Sequence, residues 1–443
     1  MAVTPTPLTS KAVPAQQTVR DPIPGVVRRN MALIAVTQAL VGVGTQLTPS
    51  LGAVMAIRLL GSNTFAGLAT SLLGLSRMLV SYPIGAVTDR YGRKAGLVGG
   101  LLVAMLGAAL AGLAMVTASF ALFVVAIFVF GSGVGGVQQL RVAATDMFPP
   151  DRRAEGVGIL QTGSLIGTFG GPVLIAFASA LGQALSFDPI ALAWLMAPVV
   201  FLPSLLLVLR VHPDPKTIAA NLSHYYPNYQ LAERPQAAGQ VTKVSLRNYA
   251  ADYVKLTAFV CSFFVQGNMV LMMAMTAVVI DHHGHGLPAI SLAVALHVAG
   301  MFGLSIPLGR LADRWGRRPV MLAGVVMGAI SAVVVVLSAD YWTIVAGITL
   351  VGVAWSGVNV SATVLLADTT PASERGRVIG ANDTFASLAH VTMPLIGGAM
   401  AEAFGLPFVG FVVVCLSAIP ALFLLRLQET SPGHFPQSAY QRG

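Results

Sequence analysis

Long apolar runs alternate with short polar breaks along the chain. The runs cover residues 31–54, 65–87, 95–116, 120–144, 157–181 and 189–209, then 252–280, 288–309, 319–338, 341–365, 378–402 and 407–426. A helix needs roughly 20 such residues to cross the hydrocarbon core of a bilayer. Twelve runs of this length predict an all-α membrane protein with twelve transmembrane helices. Residues 211–250 are polar and carry Pro213, Pro215, Tyr225, Tyr226, Pro227 and Tyr229. They read as a linker that splits the chain into two six-helix bundles. The expected organisation is a tail at 1–30, a bundle at 31–210, the linker at 211–250, a bundle at 251–428 and a tail at 429–443.

Composition agrees with this class. Of 443 residues, 55% are hydrophobic and 10% charged, with mean hydropathy +0.77; soluble domains carry about 25% charged residues. The 46 glycines suit close helix packing in lipid. The first 30 residues have no apolar core, so no cleavable signal peptide is expected. Cys261 and Cys415 sit in apolar runs and give no disulfide framework. The net charge of +9 reflects topology rather than nucleic-acid binding. With the N-terminus inside, every Lys and Arg except Arg58, Arg77 and Arg141 falls in a cytoplasmic segment or at its edge. Both termini are therefore expected in the cytoplasm of a bacterial inner membrane.

The two halves repeat. Gly85-Ala-Val-Thr-Asp89-Arg90-Tyr-Gly92-Arg93-Lys94 returns 224 residues later as Gly309-Arg-Leu-Ala-Asp313-Arg314-Trp-Gly316-Arg317-Arg318. Asp146-Met-Phe-Pro149, with Arg153, Gly158 and Pro172, returns 222 residues later as Asp368-Thr-Thr-Pro371, with Arg375, Gly380 and Pro394. Two matches at nearly one offset mark a duplication, and paired six-helix repeats around a mid-depth site are a transporter plan. An aspartate ending a helix before a tight basic turn is placed to face the positive N-terminus of a neighbouring helix. Asp146 and Asp368 are natural partners for Arg93 and Arg317.

The doubled Gly-x-x-x-Asp-Arg-x-Gly-Arg-Arg/Lys loop resembles the signature of the major facilitator superfamily, over residues 31–426. That resemblance implies two pseudo-symmetric bundles working by alternating access. It also implies a cytoplasmic gate formed by Asp89, Arg90, Arg93, Asp146, Asp313, Arg314, Arg317 and Asp368. Asp383 reads as part of the gate or as a proton carrier. Gly167-x-x-x-Gly171-Pro172 is similar, in part, to the glycine-proline motif of the superfamily's exporters.

Ionisable groups at membrane depth are costly and usually functional. Arg77 lies near the middle of the second span, placed to meet an anionic solute or the amides of Gln38, Gln46, Gln138 or Gln161. Gln161, Gln266, Asn268 and Asn359 are the other cavity candidates, with Trp355 and His390 nearby in depth.

The seventh and eighth spans add soft donors. Met269 and Met273, and His297 and Met301, are i,i+4 pairs, each on one helix face. Counted at about 1.5 Å per residue, the two pairs reach matching depths if these spans pack together. Thioether and imidazole suit Cu(I), whereas Met also serves as ordinary core filler. The pairs look like the copper-binding motifs of the bacterial major-facilitator copper importers that supply cytochrome oxidase assembly. That resemblance implies Met269, Met273, His297 and Met301 as ligands and copper as substrate, with no permanently bound cofactor. The same broader family includes members linked to riboflavin. Asp281, His282, His283 and His285 would form a metal-capturing outer mouth or a solvated turn.

The combined expectation is a monomeric secondary transporter moving copper inward, in contact with the lipid bilayer. A transporter of an organic solute such as riboflavin or a drug is the alternative, and a membrane sensor a third. No nucleophile–base constellation points to an enzyme.

Overall fold

Apolar runs without water-exposed backbone partners must satisfy their own hydrogen bonds, and the helix does so within one segment. In a computed structural model the described residues are 22–61, 68–227, 251–284 and 287–428, and nearly all are helical. The first half contains α1 (Gly25–Thr45), α2 (Leu47–Leu60), α3 (Leu68–Tyr91), α4 (Arg93–Val116), α5 (Phe120–Val137), α6 (Leu140–Asp146), α7 (Arg153–Leu185) and α8 (Pro189–Leu209). Two short helices, α9 (Pro215–Ala220) and α10 (Leu222–Tyr225), begin the linker. The second half contains α11 (Tyr253–His282), α12 (Leu287–Gly303), α13 (Ser305–Trp315), α14 (Arg317–Leu337), α15 (Tyr341–Asp368), α16 (Arg375–Phe404) and α17 (Leu406–Arg426). The tails and residues 228–250 of the linker lie outside the described residues.

Three spans are broken: α1/α2, α5/α6 and α12/α13 each make one crossing, which gives twelve. Large apolar side chains such as Val173, Val199, Leu337 and Phe411 are exposed on the outside, as a lipid-facing surface requires. Among the described residues, ten crossings are long and apolar enough to span a membrane by composition alone. The exceptions are α3 and α16. The reason is that these two pack on each other between the halves, so their polar faces meet protein rather than lipid.

The halves touch through α3 with α16, α7 with α12, α13 and α15, and α6 with α15 and α16. Glycines permit the closest approaches. A Cβ on Gly85 would lie 2.1 Å from the Gly376 carbonyl oxygen, and one on Gly309 2.2 Å from that of Ala154. Gly158 and Gly380 meet Ser305 and Ser81 in the same way, at 2.4 and 2.2 Å. All four belong to the duplicated motifs. Gly92 and Gly316 adopt φ of +98° and +105°, which turns the chain between α3 and α4 and between α13 and α14 where a side chain would be strained.

The start of the linker is fixed to the first half. Asp214 accepts hydrogen bonds from the Arg93 and Lys94 amides at 3.2 and 2.9 Å, capping α4, and Tyr226 donates to the Met147 carbonyl.

Candidate functional site: a charged gate and a polar central cavity

The duplicated motifs assemble at the end of the molecule that carries the basic loops. The Asp89 carboxylate accepts from the amides of Gly376 and Arg377, both at 2.9 Å. These are free N–H groups of the first turn of α16, so a carboxylate of one half caps a helix of the other. Asp313 does the same for Ala154 and Glu155 of α7, at 3.2 and 2.8 Å. Beside each cap lies a buried ion cluster. Arg93 pairs with Asp89 and Asp146, both at 2.7 Å, and Arg375 of the other half reaches Asp146 at 2.6 Å. Arg317 pairs with Asp313 at 2.8 Å and Asp368 at 3.1 Å, and Arg153 reaches Asp368 at 2.6 Å. The clusters are copies related by the duplication, and each is completed by an arginine from the opposite half.

Arg153 and Arg375 complete these clusters but were not among the residues expected to form the gate, although the 222-residue repeat carried both. Arg90 and Arg314 were expected there and are exposed instead. Each directly follows the capping aspartate, and one helical step turns the side chain by about 100°. Arg90 lies over the Tyr91 ring, 5.2 Å from its centroid.

A second polar group lies deeper, between the halves. Arg141 on α6 pairs with Asp383 on α16 at 2.6 Å and donates to the Asn359 side chain on α15 at 3.1 Å. Asp383 therefore sits apart from the gate clusters. Trp355 donates to Gln266 Oε1 at 2.9 Å, and Gln266 Nε2 lies 3.1 Å from His390 Nδ1. Trp355 can only donate, so it fixes the Gln266 amide; the amide nitrogen must then donate, and Nδ1 accepts as part of a neutral imidazole. Phe302 packs edge-on against Trp355, centroids 5.9 Å apart. Arg77 on α3 lies within Coulombic reach of Asp383, Arg141 and His390. Arg77, Arg141, Gln266, Trp355, Asn359 and His390 are only half-buried, so packing does not seal the group. Arg141 was not among the cavity candidates; its partner Asp383 lies 242 residues away, which no local pattern reveals.

Two cavity candidates belong elsewhere. Gln161 accepts from Ser305 at 3.2 Å in the seam between α7 and α13. Asn268 donates to Ser417 at 3.0 Å and lines a small internal void of the second half with Met269, Met272 and Gly324.

The Met pair lies on α11 and the His–Met pair on α12. Both helices pack chiefly on other elements, α15 among them, and only marginally on each other. Met269 turns into the second half, while His297 is fully buried against α15. The His297 Nδ1 lies 2.7 Å from the Ile348 carbonyl oxygen and must donate to it, which leaves Nε2 as a buried lone pair without a partner. Met273 and Met301 border the same apolar cluster as Met269. Asp281 and His282 end α11, and His283 is exposed with Nδ1 2.8 Å from the Val279 carbonyl. His285 lies outside the described residues. Among the described residues, no three His, Cys, Asp or Glu side chains group as metal ligands.

A double-mutant cycle tests the central ion pair. Arg141→Gln and Asp383→Asn are expected to couple by about 0.5–3 kcal/mol in thermal unfolding, as contacting residues do. Strict additivity would show that the pair contributes nothing.

Comparison with known proteins places this architecture. The family model described as Major Facilitator Superfamily matches residues 34–265 and 256–441. The chain is 27% identical over 410 residues to the uncharacterized MFS-type transporter YddS of Bacillus subtilis, covering 91% of this chain and 92% of the relative. It is 24% identical over 407 residues to the riboflavin transporter RfnT of Brucella anthropi, covering 90% and 96%. The solved structure of the proton:xylose symporter XylE superposes with a TM-score of 0.70 at 16% identity, covering 92% of this chain and 97% of that one. The chain belongs to the major facilitator superfamily, a multi-pass membrane transporter rather than an enzyme.

Proposed function

We propose that the protein is a secondary transporter of the bacterial plasma membrane that carries a small organic solute, of the flavin kind, through the cavity between its halves. The observation that carries this reading is the polar group built jointly by both halves. Arg77 and Arg141 come from the first half, and Gln266, Trp355, Asn359, Asp383 and His390 from the second, so relative motion of the halves must remake it. The riboflavin-named relative supports the solute class. The positive-inside rule puts the basic end in the cytoplasm; the gate clusters then close the cytoplasmic side, and the cavity faces outward. Riboflavin counterflow into proteoliposomes is expected to be saturable and dependent on internal riboflavin. Uptake no greater than in empty liposomes would overturn the solute class.

Copper is the second reading, and His297 favours it. A ring that donates through Nδ1 to a carbonyl and keeps Nε2 free is arranged as metal-bound histidines are, and three thioethers border the same cluster. Against it stands the packing of α11 and α12 on α15 rather than on each other. Cellular copper uptake is expected to be unchanged, within twofold, in Met269→Ala and His297→Ala. A tenfold fall in both, with normal expression, would reinstate copper.

A further inference from the structure

We infer that the site also takes small organic monoanions, in competition with a neutral flavin, and that Arg77 is the residue that binds their anionic group. This rests on the proposed transport between the halves and names a further substrate class of that site. Arg77 lies about half-way along its span, 14 residues from Tyr91 at the basic end of α3, or roughly 20 Å at the helical rise. Its stem runs beside Gly135 of α5, where a Cβ would sit in ordinary contact with the Arg77 Cγ at 3.9 Å. Its Nε is buried with no hydrogen-bond partner. Among the described residues, no hydrogen bond or ion pair reaches the guanidinium.

The sequence offered four glutamines as neutral partners, and three are engaged elsewhere. Gln38 donates to Ser164 at 2.9 Å, Gln46 to Thr168 at 3.4 Å, and Gln161 accepts from Ser305. Among the described residues none of the four, Gln138 included, hydrogen-bonds the Arg77 guanidinium, so the arginine is not a bridge to these amides. The charges around it do not balance either. Arg77 and Arg141 supply two positive charges, Asp383 one negative charge, and His390 is neutral because its Nδ1 accepts from Gln266. Asp383 already spends one oxygen on Arg141. The cavity is thus one negative charge short, and the unpaired cation is the one with donors to spare. A guanidinium offers a planar fork that matches a carboxylate or phosphate ester in a bidentate, charge-assisted pair. A cation held at membrane depth without a partner is costly, and an entering monoanion would neutralise it and complete the cavity. Trp355 and Phe302 provide an aromatic wall in the same cavity for the body of the solute.

The test uses acid and amide pairs of nearly one shape: nicotinate with nicotinamide, and salicylate with salicylamide. Binding is read by thermal shift of the purified protein, and competition by inhibition of riboflavin counterflow. The acids are expected to stabilise the parent and to compete at concentrations at which the amides do neither. Arg77→Gln is expected to weaken acid binding at least tenfold, and Arg77→Lys by less. The proposal is overturned if the amides bind as well as the acids, or if Arg77→Gln keeps the preference for acids; the latter would make Arg77 a counter-charge for Asp383. Riboflavin counterflow that neither acid inhibits, with no acid-induced thermal shift, sinks the anion proposal and leaves the transport reading standing. Acid binding without riboflavin movement does the reverse.

Discussion

Asp146→Ala is expected to weaken the closed state by about 3–5 kcal/mol, the usual cost of removing one partner from a buried ion pair. Asp146 is fully buried and receives Arg93 from its own half and Arg375 from the other. Its loss leaves Arg93 with Asp89 alone and leaves Arg375, in the same buried site, without its carboxylate. The effect should appear as a lower melting temperature in detergent and as greater reactivity of a cysteine placed at the basic end. Asp146→Asn keeps an acceptor oxygen and should lose less. Asp368→Ala should reproduce the result in the second cluster. The clusters are neighbours, because Arg375 also feels Arg153 and Asp368, so the double substitution should depart from additivity. A melting temperature unchanged by Asp146→Ala would show that the cluster does not hold the halves together.

Gly85→Val with Gly309→Val is expected to have the second large effect. Each added Cβ would fall within 2.2 Å of a backbone carbonyl oxygen of the other half, and backbone cannot swing aside as a side-chain tip can. Overpacking of this kind costs about 1–3 kcal/mol per site, enough to shift the closed-to-open ratio by roughly tenfold or more. Because the strain exists only when the basic end is closed, folding within each half should be preserved while transport falls. Full counterflow in the double variant would mean that this seam never closes during transport.

The spans were legible because bilayer thickness sets their length, and the gate because duplication wrote Asp89, Asp146, Asp313 and Asp368 at matched positions. The helices run past the apolar stretches at the basic end, since the capping aspartates and the clustered arginines sit on helical turns. The breaks at Gln46, at Gln138 and Gln139, and at Leu304 had no clear punctuation in the sequence. The facing of isolated polar residues was also hidden. Asn268 and Gln266 are two positions apart on α11, yet Asn268 meets Ser417 on α17 while Gln266 meets Trp355 on α15 and His390 on α16. A helix with no strong amphipathic stripe gives no rotational reference, and depth alone does not say which neighbour a side chain meets. The Met and His pairs show the same limit. Matching depth on consecutive spans implies convergence only if those spans pack closely, and both pack more on α15 than on each other. Arg141 shows it once more, because a cation inside a span gives no sign of its partner, here Asp383, 242 residues away.

The central claim is that the halves rock around the polar cavity, with the basic end closed in the structure described. Spin-label distances at both ends test it most directly, in a background with Cys261 and Cys415 replaced by alanine. Arg90→Cys with Arg314→Cys reports on the basic end, and Leu185→Cys with Leu337→Cys on the other, all four native residues being exposed. In otherwise unaltered protein the basic-end pair should give one short distance. With Gly85→Val and Gly309→Val added, that distance should lengthen while the pair at the other end shortens. Distances that stay fixed at both ends, or lengthen together, would contradict the account.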